Sequence, residues 1–394
     1  MKTLETAVLL TTLSVVFCSF AIPSAVARTW NVLEDGTGDA PFIQAAVDSA
    51  ADCDTVLVWP GTYLEEPLAR VWIFAKSLTL VSKSGSEATT IRGSVYATGG
   101  GNDGIEVNLV GFTIVSNGGE PIGVWQIKSI LIEDFTVRGY RHVSVVHAWE
   151  DVEIRGCVFR DNVRELSLDP GGALHVSVRS RGEIENCRFI DNSDLEGTAG
   201  ALHADASAAA ELMISNCIFS GNRGRLAGAI RFTGGRLVMR GNTLVDNRSD
   251  DYGAAYLDLT SCEITGNVFA WNYPFGIFMD SQGPGPKKCW CNAFWKNEGW
   301  IDMNSRDGIQ WWAWECGGYE PGSLDYESVL SDPQFCDRSG GDFTLRDSSP
   351  LLPENFPGDV EHCGGVIGAF EVGCTGPPPA IERSSWGRIK AGRP

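Results

Sequence analysis

The sequence predicts an all-β fold, a parallel β-helix solenoid of about ten coils with an N-terminal capping helix and an irregular C-terminal cap. Three observations predict it. A phenylalanine followed three residues later by asparagine recurs along the chain, a glycine-led apolar motif recurs between those pairs, and short segments of alternating apolar and polar residues recur beside them.

The first motif runs Phe159 with Asn162, Phe189 with Asn192, Phe219 with Asn222, Leu244 with Asn247, Phe269 with Asn272 and Phe294 with Asn297, at steps of 30, 30, 25, 25 and 25 residues. Phe135 and Phe112 extend the series backwards at steps of 24 and 23, with Arg138 in one asparagine position and Asn117 displaced from the other. A period of this size is a supersecondary unit, too small for a domain. In the strand-like pieces Ile154, Ile184, Ile214, Met239 and Ile264 align, and Arg155, Glu185, Ser215, Arg240 and Thr265 follow them, the alternation of a strand with one face buried. In the glycine-led column Gly172, Gly200, Gly228 and Gly253 precede inward Leu174, Leu202 and Ile230 and outward His175, His203 and Arg231, with Tyr256 in the same outward place one period on.

Two or three short strands per period pair only with their equivalents one period away. Stacked at the strand spacing, ten such coils make a rod on the order of 50 Å long. Cys157, Cys187 and Cys217 share a column continued by Asn242, Asn267 and Asn292. That is a line of small and amide side chains at a turn, whereas zinc ligands converge on a point, so no metal ligands are assigned.

A stack of coils exposes unpaired strand edges at both ends. Asp39, Ala40 and Pro41 open a helix with Phe42, Ile43, Ala46, Val47 and Ala50 on its apolar face, a plug for the N-terminal mouth that leads into residues 54–63 as the first strand and turn. The regular repeat fades after Met303, and residues 332–335, 342–345 and 367–370 are the expected closing strands. Lys2, the apolar run from Ala7 to Ile22 and the small residues Ala25, Val26 and Ala27 read as a secretory signal peptide over residues 1–27. Residues 28–374 are then the capped solenoid, and 375–394 a proline-rich linker and basic tail. The mature chain has no further apolar stretch of membrane-spanning length, and its expected place is extracellular or on the cell surface.

Fifty acidic residues oppose 31 basic ones, a net charge of −19, which disfavours nucleic acid and anionic lipid as partners. Loss of Cys18 with the leader leaves an odd number of the 12 cysteines in a compartment that permits disulfides. One thiol then stays free or pairs between chains.

The segment from Ile43, Gln44, Ala45 and Ala46 to Pro60, Gly61, Thr62 and Tyr63, followed by coils, resembles the pectin-lyase-like right-handed β-helix superfamily. The Phe-x-x-Asn pairs with Gly171, Gly172, Ala173 and Leu174 are similar to the repeats of polymorphic outer-membrane proteins. Together these resemblances cover about residues 40 to 300 and imply a right-handed coil. They also imply a range of activities, from polysaccharide lyases and glycoside hydrolases to tailspikes and adhesins, so the fold fixes none of them. The Gly-His-Gly segment of polygalacturonases is absent, and Arg388, Ile389 and Lys390 match that family only in the tail. Asp250 and Asp251 near Arg248 are the one local candidate for a pectate-lyase-like calcium cluster, which leaves Ca²⁺ open as a cofactor without a clear ligand set. No series of ten-residue alternating segments follows to build a membrane barrel.

The two longest periods grow at residues 163–170 and 193–199, and insertions on one side of a solenoid build its binding face. That side gathers Asp169, Asp250 and Asp251 beside the outward His175, His203 and Arg231, the candidate catalytic residues. Carboxylates supply acid, base or nucleophile and arginine supports developing negative charge; the alternative is a solvated hydrophilic face. Six tryptophans lie between 290 and 314, and of these Trp311, Trp312 and Trp314, with Tyr256, are candidate substrate-binding residues because an indole face stacks on a sugar ring. Packing within the C-terminal cap is the alternative for them. The leading function is a non-catalytic, adhesin-like β-helix that binds polysaccharide or cell-surface glycan. The alternative is a polysaccharide lyase or glycoside hydrolase, and the oligomeric state is not set by the sequence.

Overall fold

The computed structural model describes residues 27–64, 70–101, 104–115, 119–165, 170–280, 287–297, 328–356, 363 and 365–375. Residues 1–26 of the expected signal peptide and the basic tail lie outside them. The chain is a parallel β-solenoid with eleven strands along the main path of a broad sheet and ten in a narrow sheet. Among the described residues no helix is long and apolar enough to cross a membrane.

Each coil lays down two strips of the broad sheet, bends, adds a strand of three or four residues to the narrow sheet, bends again and returns. In Leu202–Ser215 and Ile230–Arg240 the two strips are one long strand; in the coil before them they are Leu174–Val178 and Arg181–Glu185. All pairing in these two sheets is parallel and puts equivalent residues in register, as in Ile154 with Ile184 and Ile184 with Ile214. Those side chains, with Met239 and Ile264, are buried, as are Leu174, Leu202 and Ile230 of the leading strip. The glycine before that strip is required by the stacking: a Cβ on Gly172 would lie 1.9 Å from the carbonyl oxygen of Gly200.

The bends are made by left-handed residues. Asn186, Asn216 and Gly241 open the bend into the narrow sheet, and Asp191, Gly221 and Asp246 the bend out of it, all at φ between 52° and 68°. Glycine, asparagine and aspartate adopt this conformation at least cost. The residue after each one turns inward and bonds along the stack. Asn222 accepts from the backbone and side-chain amides of Asn192 at 3.0 Å and donates through Nδ2 to Asn247 and to the carbonyl of Phe189. The Cys157, Cys187 and Cys217 column behaves as a line, the sulfurs of Cys187 and Cys217 each accepting from the previous cysteine's backbone amide at 3.4 Å until Asn242 takes over. Between the two ladders Phe159, Phe189 and Phe219 stack nearly parallel with ring centroids 5.0 and 4.7 Å apart.

The register corrects the alignment of the earlier coils. Phe159 pairs with Val137, and Val137 with Ile114, so Phe135 and Phe112 do not continue the phenylalanine stack. They occupy the cysteine column: the carbonyl of Phe135 accepts from Val158 as that of Cys157 accepts from Arg188. Tyr140 takes the asparagine place; its amide donates to Asn162 Oδ1 and its hydroxyl to the carbonyl of Gly93 at 2.6 Å.

At the N-terminus the first strand is Thr29–Val32, ahead of the helix, and it pairs with Asp54–Val58. The helix is Ile43–Ser49, with Ile43, Ala46 and Val47 buried. Phe42 is 41% exposed because it sits at the N-cap in extended conformation, off the helical face assigned to it. At the C-terminus Phe335–Asp337 runs antiparallel to Asp342–Arg346, which Val372–Cys374 joins in parallel. Residues 367–370 are not a strand; the amide of Ile367 donates to Leu351 and that of Gly368 to Gly266, which docks them on the coils. This C-terminal segment lies along the flank of the solenoid. Its Phe335, Phe343, Leu345, Leu351 and Ile367 pack on Ile218, Val245, Val268, Ala270 and Ala293, apolar residues around the narrow sheet. Disulfide Cys291–Cys363 ties it to the coils and Cys336–Cys374 closes it internally, while Cys157, Cys187 and Cys217 are buried thiols.

Candidate functional site

The outward residues of the leading strip form two adjacent columns along the coils. Register places Trp72, Tyr96, Gly123, Val145, His175, His203, Arg231, Tyr256 and Phe278 in one. The other holds Phe74, Thr98 and Trp125 on the early coils and His147, Ser177, Asp205, Thr233 and Asp258 on the later ones.

In the middle coils this face is polar. His175 and His203 point outward from the sheet yet are only 6% exposed, because the 193–199 loop folds against His203 while His147 and Asp205 flank the rings. Asp194, fully buried, pins the loop: it pairs with Arg164 at 2.9 Å and accepts from the amides of Gly171 and Thr198. Thr198 Oγ1 then lies 2.6 Å from His203 Nδ1. On the other side Asp205 bridges both rings, with Oδ2 2.9 Å from His175 Nε2 and Oδ1 3.2 Å from His203 Nε2, and it also accepts from the Thr233 hydroxyl. The rings of His147, His175 and His203 meet edge to face at 5.1 and 5.2 Å.

Burial pushes the Asp205 carboxyl up, but the hydrogen bonds from His175, His203 and Thr233 outweigh it and hold this group well below the usual carboxylate range. Burial lowers His203, against the Asp205 contact, with His175 and Arg231 adding to the lowering. The array is a carboxylate bridging the Nε2 atoms of two imidazoles, with the Thr198 hydroxyl on Nδ1 of the second.

Among the candidates drawn from sequence, the structure brings His175 and His203 together, with Arg231 one coil further on. The Arg231 guanidinium lies over the Tyr256 ring at 3.9 Å and 3.6 Å from Asp258. Tyr256 is half-buried among Arg231, Tyr252 and Phe278. Asp250 and Asp251 are exposed on a turn whose amides bond to the carbonyl of Arg225, outside the histidine–aspartate array. Asp169, Trp311, Trp312 and Trp314 lie outside the described residues. Sequence reasoning missed Asp205, whose signal was its place two residues after His203 on the same strand face. It also missed an aromatic platform on the N-terminal coils. Trp72 and Phe74 are 43% and 52% exposed, and Tyr96 stacks on Trp125 at 5.8 Å in the next coils.

The fold and this outer face define a parallel β-solenoid with one decorated sheet. The chain belongs to the right-handed β-helix family: the family model described as "Right handed beta helix region" matches residues 81–269 and 141–310. Among solved structures it is similar to pectate lyase Pel9A, at 14% identity and a TM-score of 0.40, over 89% of this chain and 97% of that one. No curated protein matches it by sequence.

Proposed function

We propose that this chain is an exported, glycan-binding β-helix that holds polysaccharide on the outer face of its broad sheet. The observation that carries the reading is the aromatic platform: Trp72, Phe74, Tyr96 and Trp125 occupy adjacent outward columns on consecutive coils, and the first two are exposed. Strands stack about 4.8 Å apart, close to the length of one sugar ring, so a glycan lying along the axis meets a ring at each step. Two disulfides support an oxidising, extracellular compartment, and the acidic balance of the chain supports neutral or cationic glycans over nucleic acid.

Affinity electrophoresis through a panel of neutral, acidic and amino polysaccharides tests it. At least one polymer is expected to retard the wild type, and Trp72→Ala with Trp125→Ala is expected to weaken binding about tenfold per ring. No retardation by any polymer, or an unchanged double variant, overturns the reading. One observation favours a second reading, as a lyase or hydrolase: a carboxylate-oriented imidazole pair is an arrangement suited to general acid–base work. Product release from the same panel, abolished in His203→Ala and Asp205→Ala, is its signature; no release removes it.

A further inference from the structure

We propose that His175, His203 and Asp205 form a mononuclear site for a zinc-class divalent transition metal, open to solvent on the Asp205 side. One donor atom from each of the three lies within 4.8 Å of the other two. Tetrahedral zinc with bonds of about 2.0–2.2 Å places its ligands about 3.3 Å apart. Asp205 already turns Oδ2 to His175 Nε2 at 2.9 Å and Oδ1 to His203 Nε2 at 3.2 Å, so one carboxylate faces both ring nitrogens. Two imidazoles and one carboxylate suit zinc, cobalt, nickel or iron; calcium prefers six to eight oxygens, which this cluster lacks.

Three features make the cluster a prepared site. First, both rings are buried and clamped in the His147, His175, His203 stack, so little side-chain freedom is lost on binding. Second, the tautomer change at His203 is provided for. A metal on Nε2 leaves the ring proton on Nδ1, and Thr198 Oγ1 at 2.6 Å can accept from it; a hydroxyl both accepts and donates, so its rotation satisfies either tautomer. Third, the neighbouring cation is directed away: Arg231 donates to the carbonyl of Phe232, lies over Tyr256 and faces Asp258. The Asp205 side chain keeps 43% of its exposure, which gives an ion a way in and leaves the remaining coordination positions to water.

The test uses the full secreted chain, stripped with chelator and titrated with Co²⁺, then Zn²⁺. One equivalent is expected, with visible d–d absorption and no intense near-ultraviolet thiolate band, and Zn²⁺ should displace it. Asp205→Asn, on a half-exposed side chain, is expected to keep the wild-type circular dichroism and bind at least tenfold more weakly. Thr198→Val, which removes the hydroxyl from His203, should cost about 10–100-fold. Binding weaker than millimolar, equal affinity in Asp205→Asn and His203→Gln, or a thiolate band assigning the ion to the buried cysteines would each overturn the proposal. The site is independent of the aromatic platform, so loss of glycan binding in Trp72→Ala leaves it intact.

Discussion

From Cys157 to Asn297 successive coils are joined by polar ladders, whereas between Val71 and Tyr140 the same inward places hold Phe112, Phe135 and Tyr140. The later coils carry six asparagines in one line and three in another, each amide bonded to the coil on both sides or to the neighbouring backbone. The earlier coils fill the corners mainly with apolar bulk, with the Tyr140 hydroxyl and a buried Ser82–Thr89 hydroxyl pair as local polar contacts. The outer face changes along the same axis, from Trp72, Phe74, Tyr96 and Trp125 to His175, His203, Asp205 and Arg231. A buried amide ladder tolerates no substitution without orphaning its neighbours, while an apolar corner accepts any side chain of suitable volume. The repeat is therefore strict in one half and loose in the other for a physical reason.

The most severe way to break this contrast is Asn222→Ala. The substitution strands the backbone amide of Asn192 and one N–H of its side-chain amide in a buried corner and leaves a cavity. With about 1–3 kcal/mol for each orphaned group, the expected loss is about 3–5 kcal/mol. Urea unfolding followed by circular dichroism reads it as a fall in midpoint. A loss under about 1 kcal/mol would mean that the ladder is decoration.

Tyr140→Phe makes the corresponding change in the earlier coils. It removes the hydroxyl bonded to Gly93 and keeps the ring volume, so only one buried carbonyl loses its partner. About 1–2 kcal/mol is expected by the same assay, clearly less than for Asn222→Ala. Equal losses would erase the distinction between the two halves.

This contrast also explains what could be read in advance. Asn162 to Asn297 announced the coils because each asparagine is fixed by the next, and the inward isoleucines announced the broad sheet through their alternation. Phe112 and Phe135 misled because a phenylalanine fits both the stack and the corner, and only pairing of Val137 with Phe159 separates the two. The first strand, Thr29–Val32, is four residues long and too short to show a period. The flank cover was illegible because Ile218, Val245 and Val268 look like core residues until a distant segment is seen to pack on them. At the candidate site the histidines were legible from the glycine-led column. Asp205 and Thr198 were not, since their roles depend on which coil lies beside them and on how the 193–199 loop folds back. The platform was missed for a related reason: Trp72 and Tyr96 belong to coils whose repeat is loose.

The smallest expected effect concerns acid, and it sharpens the contrast at the N-terminal end. Asp54 is buried between the first two coils, and burial pushes its carboxyl up. The amides of Arg28 and Ala51, the Trp30 indole N–H and the Arg28 charge more than offset that and hold it below its ordinary value. A carboxylate depressed in the folded state contributes stability that is present above its unfolded value, about 3.9, and is lost as pH falls through the lower folded value. The asparagine ladders hold no titrating group, and Asp205 on the later coils is held lower than Asp54, so as pH falls acid should release Thr29–Val32 from Asp54–Val58 before it reaches the later coils. Trp30, over which the Arg28 guanidinium sits at 3.6 Å, reports the release through its fluorescence. Below about pH 4 its emission should shift before the far-ultraviolet circular dichroism changes, and Asp54→Asn should remove most of that shift. The remainder would come from Asp39, whose carboxylate holds the amide of Asn31 at the middle of the same strand. If Asp54→Asn titrates as the wild type does, or if both signals move together, the N-terminal coil is not the acid-sensitive end.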